Sequence, residues 1–226
     1  MAKRLKNLLI YSIHDRELKR YAATYLKGRL IDIGCGTKPY KKLLAPYVTE
    51  HVGVDHEDTK HDRSAVDLFG TAYEIPAEDE SFDSAICNAV LEHLEEPELA
   101  IRECYRVLKP NGAAIYTVPF IWHIHEAPRD FYRYSKYGLK YLFDKVGFEI
   151  LEIKALSGFW VTFGQLFVYN LYRLNKGPLR WFRIIDMLGL LVQGISYALD
   201  KIDKTERWTW MYLAAVRKPQ DENRPG

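Results

Sequence analysis

Leu30-Ile31-Asp32-Ile33-Gly34-Cys35-Gly36-Thr37-Lys38-Pro39-Tyr40 is an apolar run with one acid that breaks at two glycines one residue apart. It reads as a buried strand leaving a sheet into a tight turn. A glycine in such a turn accepts a positive φ, and its missing Cβ lets a ligand touch the backbone. Asp32, one residue before the strand ends, can reach over the turn to a polar ligand group. Gly-x-Gly alone is a weak signal, and position 39 is Pro where a dinucleotide fingerprint carries its third glycine. The next β-like run, His51-Val52-Gly53-Val54-Asp55, ends in an acid 19 residues after Gly36. At about that spacing, at the tip of the adjacent parallel strand, a carboxylate accepts hydrogen bonds from both ribose hydroxyls. The pair of features is far more specific than either one.

With these residues in hand, Leu30 to Phe120 resembles the core of a class I S-adenosylmethionine (SAM) dependent methyltransferase. Asp32-Ile33-Gly34-Cys35-Gly36 resembles that family's glycine-rich first motif and Asp55 its ribose-binding acid. The resemblance implies a Rossmann-like α/β fold. Its sheet has seven mostly parallel strands, helices on both faces and an antiparallel last strand. It also implies SAM as cofactor and S-adenosylhomocysteine as product. SAM has no pyrophosphate, so the family tolerates a missing third glycine; the same absence argues against a dinucleotide. Val66-Asp67-Leu68 resembles the segment where an acid-apolar pair meets adenine. Asp67 would accept from the exocyclic amine or cap the following loop, and Leu68 would touch the ring edge. His56 packs beside the adenine or sits on the surface. The expected cofactor set is therefore Asp32, Gly34, Gly36, Asp55, His56, Asp67, Leu68 and Asn88.

Composition sets the outer bounds. The 226 residues suit one α/β domain with room for an extension, and 48% hydrophobic content supports a packed core. A net charge of +2 gives no reason to expect nucleic-acid binding. Cys35, Cys87 and Cys104 are widely spaced and read as reduced thiols of a cytoplasmic protein. The basic N-terminus lacks the continuous apolar stretch of a secretory signal. No uncharged apolar run is long enough for a plain transmembrane helix.

Residues 1–29 form an N-terminal helical segment with eight Lys/Arg against two acids. It is a solvated basic cover of the sheet, a lid over the cofactor, or a surface facing anionic lipid. The core spans 30–156. After Gly36, Lys38–Leu44 begins a helix whose free N–H groups point toward the ligand; Lys38 assists there or is an exposed turn lysine. Phe82–Asn88 is the fourth strand. Its end aims Asn88 at the sulfonium or the acceptor, because ligands in open parallel sheets lie beyond the strand C-termini. Val90-Leu91-Glu92-His93-Leu94 is a short turn in which His93 faces the pocket or packs over the turn. Pro97 opens a helix, Pro110-Asn111-Gly112 is a stop and turn, and Ala113–Pro119 is the fifth strand.

Phe120–Ser135 leaves that strand at the ligand edge with two histidines, two acids, two arginines and several aromatics. It is a candidate acceptor site. Methyl transfer mainly needs the acceptor held in line with an activated leaving group. A hydroxyl acceptor also needs a base, which points to His125, then His123, with Asp130 orienting the histidine or acting itself. The alternative is a loop closed on itself through Arg129–Asp130 and Glu126–Arg133 pairs. No metal is expected: His-x-His offers two ligands and no cysteine lies nearby.

A helical insertion, 157–207, precedes the last strand, 208–218, and 219–226 reads as a disordered tail. The insertion is strongly apolar and aromatic, has no acid between Ser157 and Ile185, and carries Arg173, Lys176, Arg180 and Arg183. That composition fits an interfacial element at the inner face of a membrane, a homodimer interface or lid, or plain core. The expected function is methyl transfer from SAM, at oxygen, to a small or lipid-linked acceptor. The rivals are a non-catalytic SAM-binding or membrane-docking subunit and a nicotinamide-cofactor reductase on the same fold.

Overall fold

The computed structural model describes residues 5–57, 62–203 and 205–220. Residues 1–4, part of the His56–Ser64 loop and most of the tail expected at 219–226 lie outside the described residues.

Helix α1 (Leu8–Tyr25) precedes strand β1 (Arg29–Ile33), the short helix α2 (Lys41–Leu44), β2 (Glu50–Asp55), β3 (Leu68–Phe69) and β4 (Phe82–Asn88). Then come α3 (Pro97–Val107), β5 (Leu108–Pro119), α4 (Lys136–Val146) and β6 (Glu149–Ala155). Helices α5 (Phe159–Leu171), α6 (Gly177–Trp181) and α7 (Ile184–Ile202) lead to β7 (Met211–Arg217). The seven strands form one sheet in the order β3-β2-β1-β4-β5-β7-β6. The β1–β2, β1–β4, β2–β3 and β4–β5 pairs are parallel. Strand β7 is antiparallel to β5: Asn111 N–H donates to Lys218 O, and Lys218 N–H to Gly112 O. The Rossmann-like sheet is therefore as expected.

The described residues cluster into two compact units. The larger comprises Lys19–Pro119, Ile124–Lys154 and the chain from Tyr212 onward. Its central strands are buried on both faces, so they read as near-continuous apolar runs: Leu30, Ile31 and Ile33 in β1, Ala114, Ile115 and Tyr116 in β5. Against them pack Ala100, Ile101, Cys104 and Val107 of α3 and Leu139 and Phe143 of α4. Each large side chain so buried contributes roughly 1.5–3 kcal/mol. Ser135 caps α4 by accepting from Gly138 N–H, and Gly147, at φ +101°, ends it in the left-handed region. All three cysteines are buried and free.

The second unit gathers the described residues up to Leu18, Phe120–His123 and Ala155–Met211. It holds the helical insertion. A Cβ on Gly164 would lie 2.0 Å from Ser196 Oγ, so the missing side chain sets how closely α5 and α7 approach. Asp200 of α7 caps α5, accepting from Gly158 N–H at 2.8 Å and Val161 N–H at 3.2 Å. Ser157, Thr162 and Thr209 join hydroxyls at the start of α5.

Four expectations shift in detail. The Pro110-Asn111-Gly112 stop is absorbed into β5, because β7 accepts and donates across it and Asn111 takes a φ of +62°. The helix after the glycine turn is only four residues long. The last strand begins at Met211, after a 3-10 turn over Glu206–Trp208. Lys38 is not an exposed turn lysine. At φ +50° its side chain runs inward, 6% exposed, to Asp67 and the His51 carbonyl. Gly53 makes that path available, since a Cβ there would meet Lys38 Cε at 2.3 Å and Cys35 Sγ at 2.6 Å. Gly53→Ala is therefore expected to lower stability by about 1–3 kcal/mol through overpacking. Urea denaturation checks this; an unchanged midpoint would contradict the buried Lys38 path.

Candidate functional site

Strand order reverses between β1 and β4, and the turns after β1, β2 and β4 meet at the strand C-termini, where open sheets of this kind form a crevice. A cavity of about 250 Å³ lies there, lined by Gly34, Asp55, His56, Thr71, Tyr73, Val90, His93 and Arg129 among others. Gly34, at φ +68°, follows β1, and a Cβ on it would sit 2.6 Å from Val90 Cγ2. Only glycine lets the two turns come this close. A wider opening of about 610 Å³ lies between Phe69 and Arg106. There the Arg106 guanidinium is committed to Glu103, Asp79 and the carbonyls of Ala77 and Ile75.

Asp55 ends β2 with its carboxylate fixed by backbone: Oδ2 accepts Gly36 N–H and Oδ1 accepts His56 N–H, each at 2.8 Å. A carboxylate oxygen has two lone pairs, so these bonds set its direction and leave acceptor capacity toward the cavity. Of the residues expected at a cofactor, Gly34, Asp55 and His56 line the cavity, and Gly36 braces Asp55.

The others turn elsewhere. Asp32 is buried and accepts from His51 Nε2 at 2.9 Å; burial pushes its carboxyl above the usual range against the pull of His51. Asp67 accepts from Gly53 N–H and from Lys38, which hold its carboxyl low despite some desolvation. Leu68 is spent on pairing β3 with Val54 of β2. Asn88 Oδ1 accepts from Thr117 Oγ1 at 2.8 Å, across the ends of β4 and β5. None of these four lines the cavity.

The loop after β5 is stitched to the turn after β4. Phe131 and Tyr132 N–H groups donate to Glu92 O, and Tyr134 Oη donates to Leu91 O at 2.9 Å. Asp130 makes a two-pronged pair with Arg133 and accepts from His125 N–H at 2.7 Å, so Arg133 holds its carboxyl well below the usual range. The loop does close on itself, through Asp130–Arg133 rather than the pairings expected from sequence. His125 and His93 lie edge to face, ring centroids 4.8 Å apart. His123 is placed in the other unit, its ring 4.8 Å from Tyr169 of α5. The structure thus brings His125 together with Asp130 and not with His123.

The group that sequence reasoning missed is Glu92. Its side chain is fully buried, neither carboxylate oxygen has a hydrogen-bond partner, and burial pushes the carboxyl up to about 8. Both His93 Nε2 and His125 Nε2 stand 3.8 Å from its Oε1. An acid inside the apolar turn Val90–Leu94 was the signal that could have found it.

The methyltransferase domain family model matches residues 31–116. An uncharacterized methyltransferase of Bacillus subtilis is 33% identical over 115 residues, 45% of this chain and 42% of its own. A demethylmenaquinone methyltransferase of Staphylococcus haemolyticus is 22% identical over 200 residues, 69% of this chain and 84% of its own. The crystallised cyclase SpnF superposes with a TM-score of 0.62 at 24% identity, covering 91% of this chain and 82% of its own. This chain spans about half the length of the first curated relatives it matches.

Tyr134→Phe removes the donor to the Leu91 carbonyl and is expected to lower stability by about 1–2 kcal/mol. Amide exchange at Phe131 and Tyr132 should accelerate; protection equal to wild type would show that the loop is held by other contacts.

Proposed function

Because residues 31–116 belong to the class I SAM-dependent methyltransferase family, we propose that this chain binds SAM in the Gly34–Asp55 cavity and directs its methyl group to an acceptor oxygen. The observation that carries this reading is the Asp55 carboxylate, oriented by two backbone N–H groups beside the bare peptide of Gly34. When bound, SAM supplies a methyl group on an activated sulfonium. Asp55 grips the two ribose hydroxyls, and Gly34 lets the ligand reach the backbone. The adenine contacts go to His56 and Tyr73, which line the cavity, rather than to Asp67 and Leu68. His93 and Arg129 mark the acceptor side, next to His125, which stands ready to take the hydroxyl proton. His123 and Asp130 are left without that role: one lies against Tyr169, the other is spent on Arg133.

The acceptor is small or lipid-linked. One matched relative is named for a menaquinone precursor, a ring on an isoprenoid chain. Within the helical unit, Trp181, Phe182, Met187 and Leu191 are exposed, and Arg173, Lys176, Arg180 and Arg183 flank them. This fits a face that lies on an anionic bilayer. Among the described residues, no helix is long and apolar enough to cross one.

Asp55→Ala is expected to weaken SAM binding by about 1.5–3 kcal/mol, roughly ten- to a hundredfold, for lost hydrogen bonds to a charged group. Calorimetry checks this, and unchanged affinity would remove the ribose assignment. Stabilisation by SAM and not by a nicotinamide dinucleotide in a thermal shift separates the reductase alternative; methyl incorporation by mass spectrometry separates a non-catalytic subunit. Purified protein should co-sediment with phosphatidylglycerol vesicles and be released by salt. No co-sedimentation at low salt would end the bilayer reading.

A further inference from the structure

One carboxylate oxygen and two imidazole nitrogens converge beside the cavity. His93 Nδ1 lies 2.5 Å from the carbonyl of Arg129, a contact only an N–H can make, so Nε2 is the ring nitrogen left to meet a ligand. That Nε2 faces Glu92 Oε1 at 3.8 Å, and His125 Nε2 faces the same oxygen at 3.8 Å. His125 turns its other nitrogen toward Asp130 Oδ2, 3.5 Å away. A ring nitrogen backed by a carbonyl or a carboxylate is the usual outer support of a metal-bound histidine. Glu92 is fully buried, and neither of its oxygens is hydrogen-bonded. A buried carboxylate without donors is costly unless a proton or a metal cation meets it.

We propose that Glu92, His93 and His125 form a binding site for one divalent first-row metal ion of the zinc class. One ligand atom from each residue lies within 4.8 Å of the other two. In a tetrahedral zinc site, with bonds of about 2.0–2.2 Å, ligand atoms stand about 3.3–3.6 Å apart. Contraction by up to half an ångström on the two 3.8 Å edges, and by roughly an ångström or more between the two imidazole nitrogens, reaches that geometry. Two imidazoles and a carboxylate suit zinc, manganese or cobalt and disfavour magnesium, which keeps oxygen ligands. The supporting groups are held independently of the ion: Asp130 by Arg133, and the loop by its N–H bonds to Glu92 O.

Three protein ligands leave a fourth position. His93 itself lines the cavity, so an ion held there would lie beside the space a substrate would enter. In the methyl-transfer reading, on which this role of the ion rests, a hydroxyl acceptor would occupy it. Its O–H bond breaks, the proton leaves to solvent water, and the charge left on oxygen is stabilised by the ion. With the ion bound His125 is a ligand, and the role of taking the hydroxyl proton belongs to His125 only in the ion-free protein.

The test uses full-length protein stripped with EDTA and dialysed against ZnCl2, with SAM absent. One zinc per chain by elemental analysis is expected, with at least a tenfold loss of affinity in each of Glu92→Gln, His93→Gln and His125→Gln, while His123→Gln retains wild-type affinity. CoCl2 titrated into the wild-type chain should give a visible band from a low-symmetry site, displaced by ZnCl2; this holds even if a variant fails to fold. Absence of stoichiometric zinc and of the cobalt band, or zinc affinity unchanged in folded Glu92→Gln, would overturn the site and leave a proton as the occupant. SAM calorimetry on the same stripped protein keeps the two claims apart. SAM binding without zinc binding refutes only the ion, and zinc binding without SAM binding refutes only the methyl-transfer reading.

Discussion

The bond from Gly36 N–H to the Asp55 carboxylate ties the turn after β1 to the tip of β2. It requires that the chain reverse sharply after Ile33, which Gly34 and Gly36 permit by taking positive φ. It also requires that β1 and β2 run in register, Ile33 beside Val54, so that the acid arrives level with the turn. Two backbone N–H groups set the direction of this carboxylate before any ligand arrives. Two further parts of the cavity are placed relative to this corner: Val90 can approach because Gly34 has no Cβ, and His56 follows Asp55 directly.

Beneath that corner lies a second polar layer whose charged side chains pair within the protein. Lys38 passes over Gly53 to reach Asp67, and Asp32 pairs with His51. These groups look like ligand contacts in a linear reading, because they sit at strand ends and in glycine-flanked turns. Their side chains instead brace one another. Burial of a charged lysine is tolerated there because Asp67 neutralises it and the His51 carbonyl accepts a further N–H.

The chemistry is concentrated where the loop after β5 folds back on the turn after β4. Backbone bonds to Glu92 O and Tyr134 to Leu91 O hold the two segments together. That closure buries the Glu92 side chain between two imidazoles and sets Asp130 behind His125. Burial there favours the neutral form of the Glu92 carboxyl over the charged one.

The sequence alone determined the strand-turn-strand frame, since apolar runs ending in Gly34 and Asp55 have few other physical readings. It likewise indicated the order of the later strands, the Ser135 cap and the helical insertion with its aromatic, acid-free face. Those features depend on local periodicity and backbone preference, which the chain carries in every short window. Only the tertiary structure decided which polar side chains meet. Asp32, Asp67 and Asn88 were drawn to protein partners, His123 was set against Tyr169, and Glu92 was met by His125, more than thirty positions away, as well as by its neighbour His93. Side-chain direction at a strand end or in a loop is fixed by long-range packing, and no spacing along the chain encodes it.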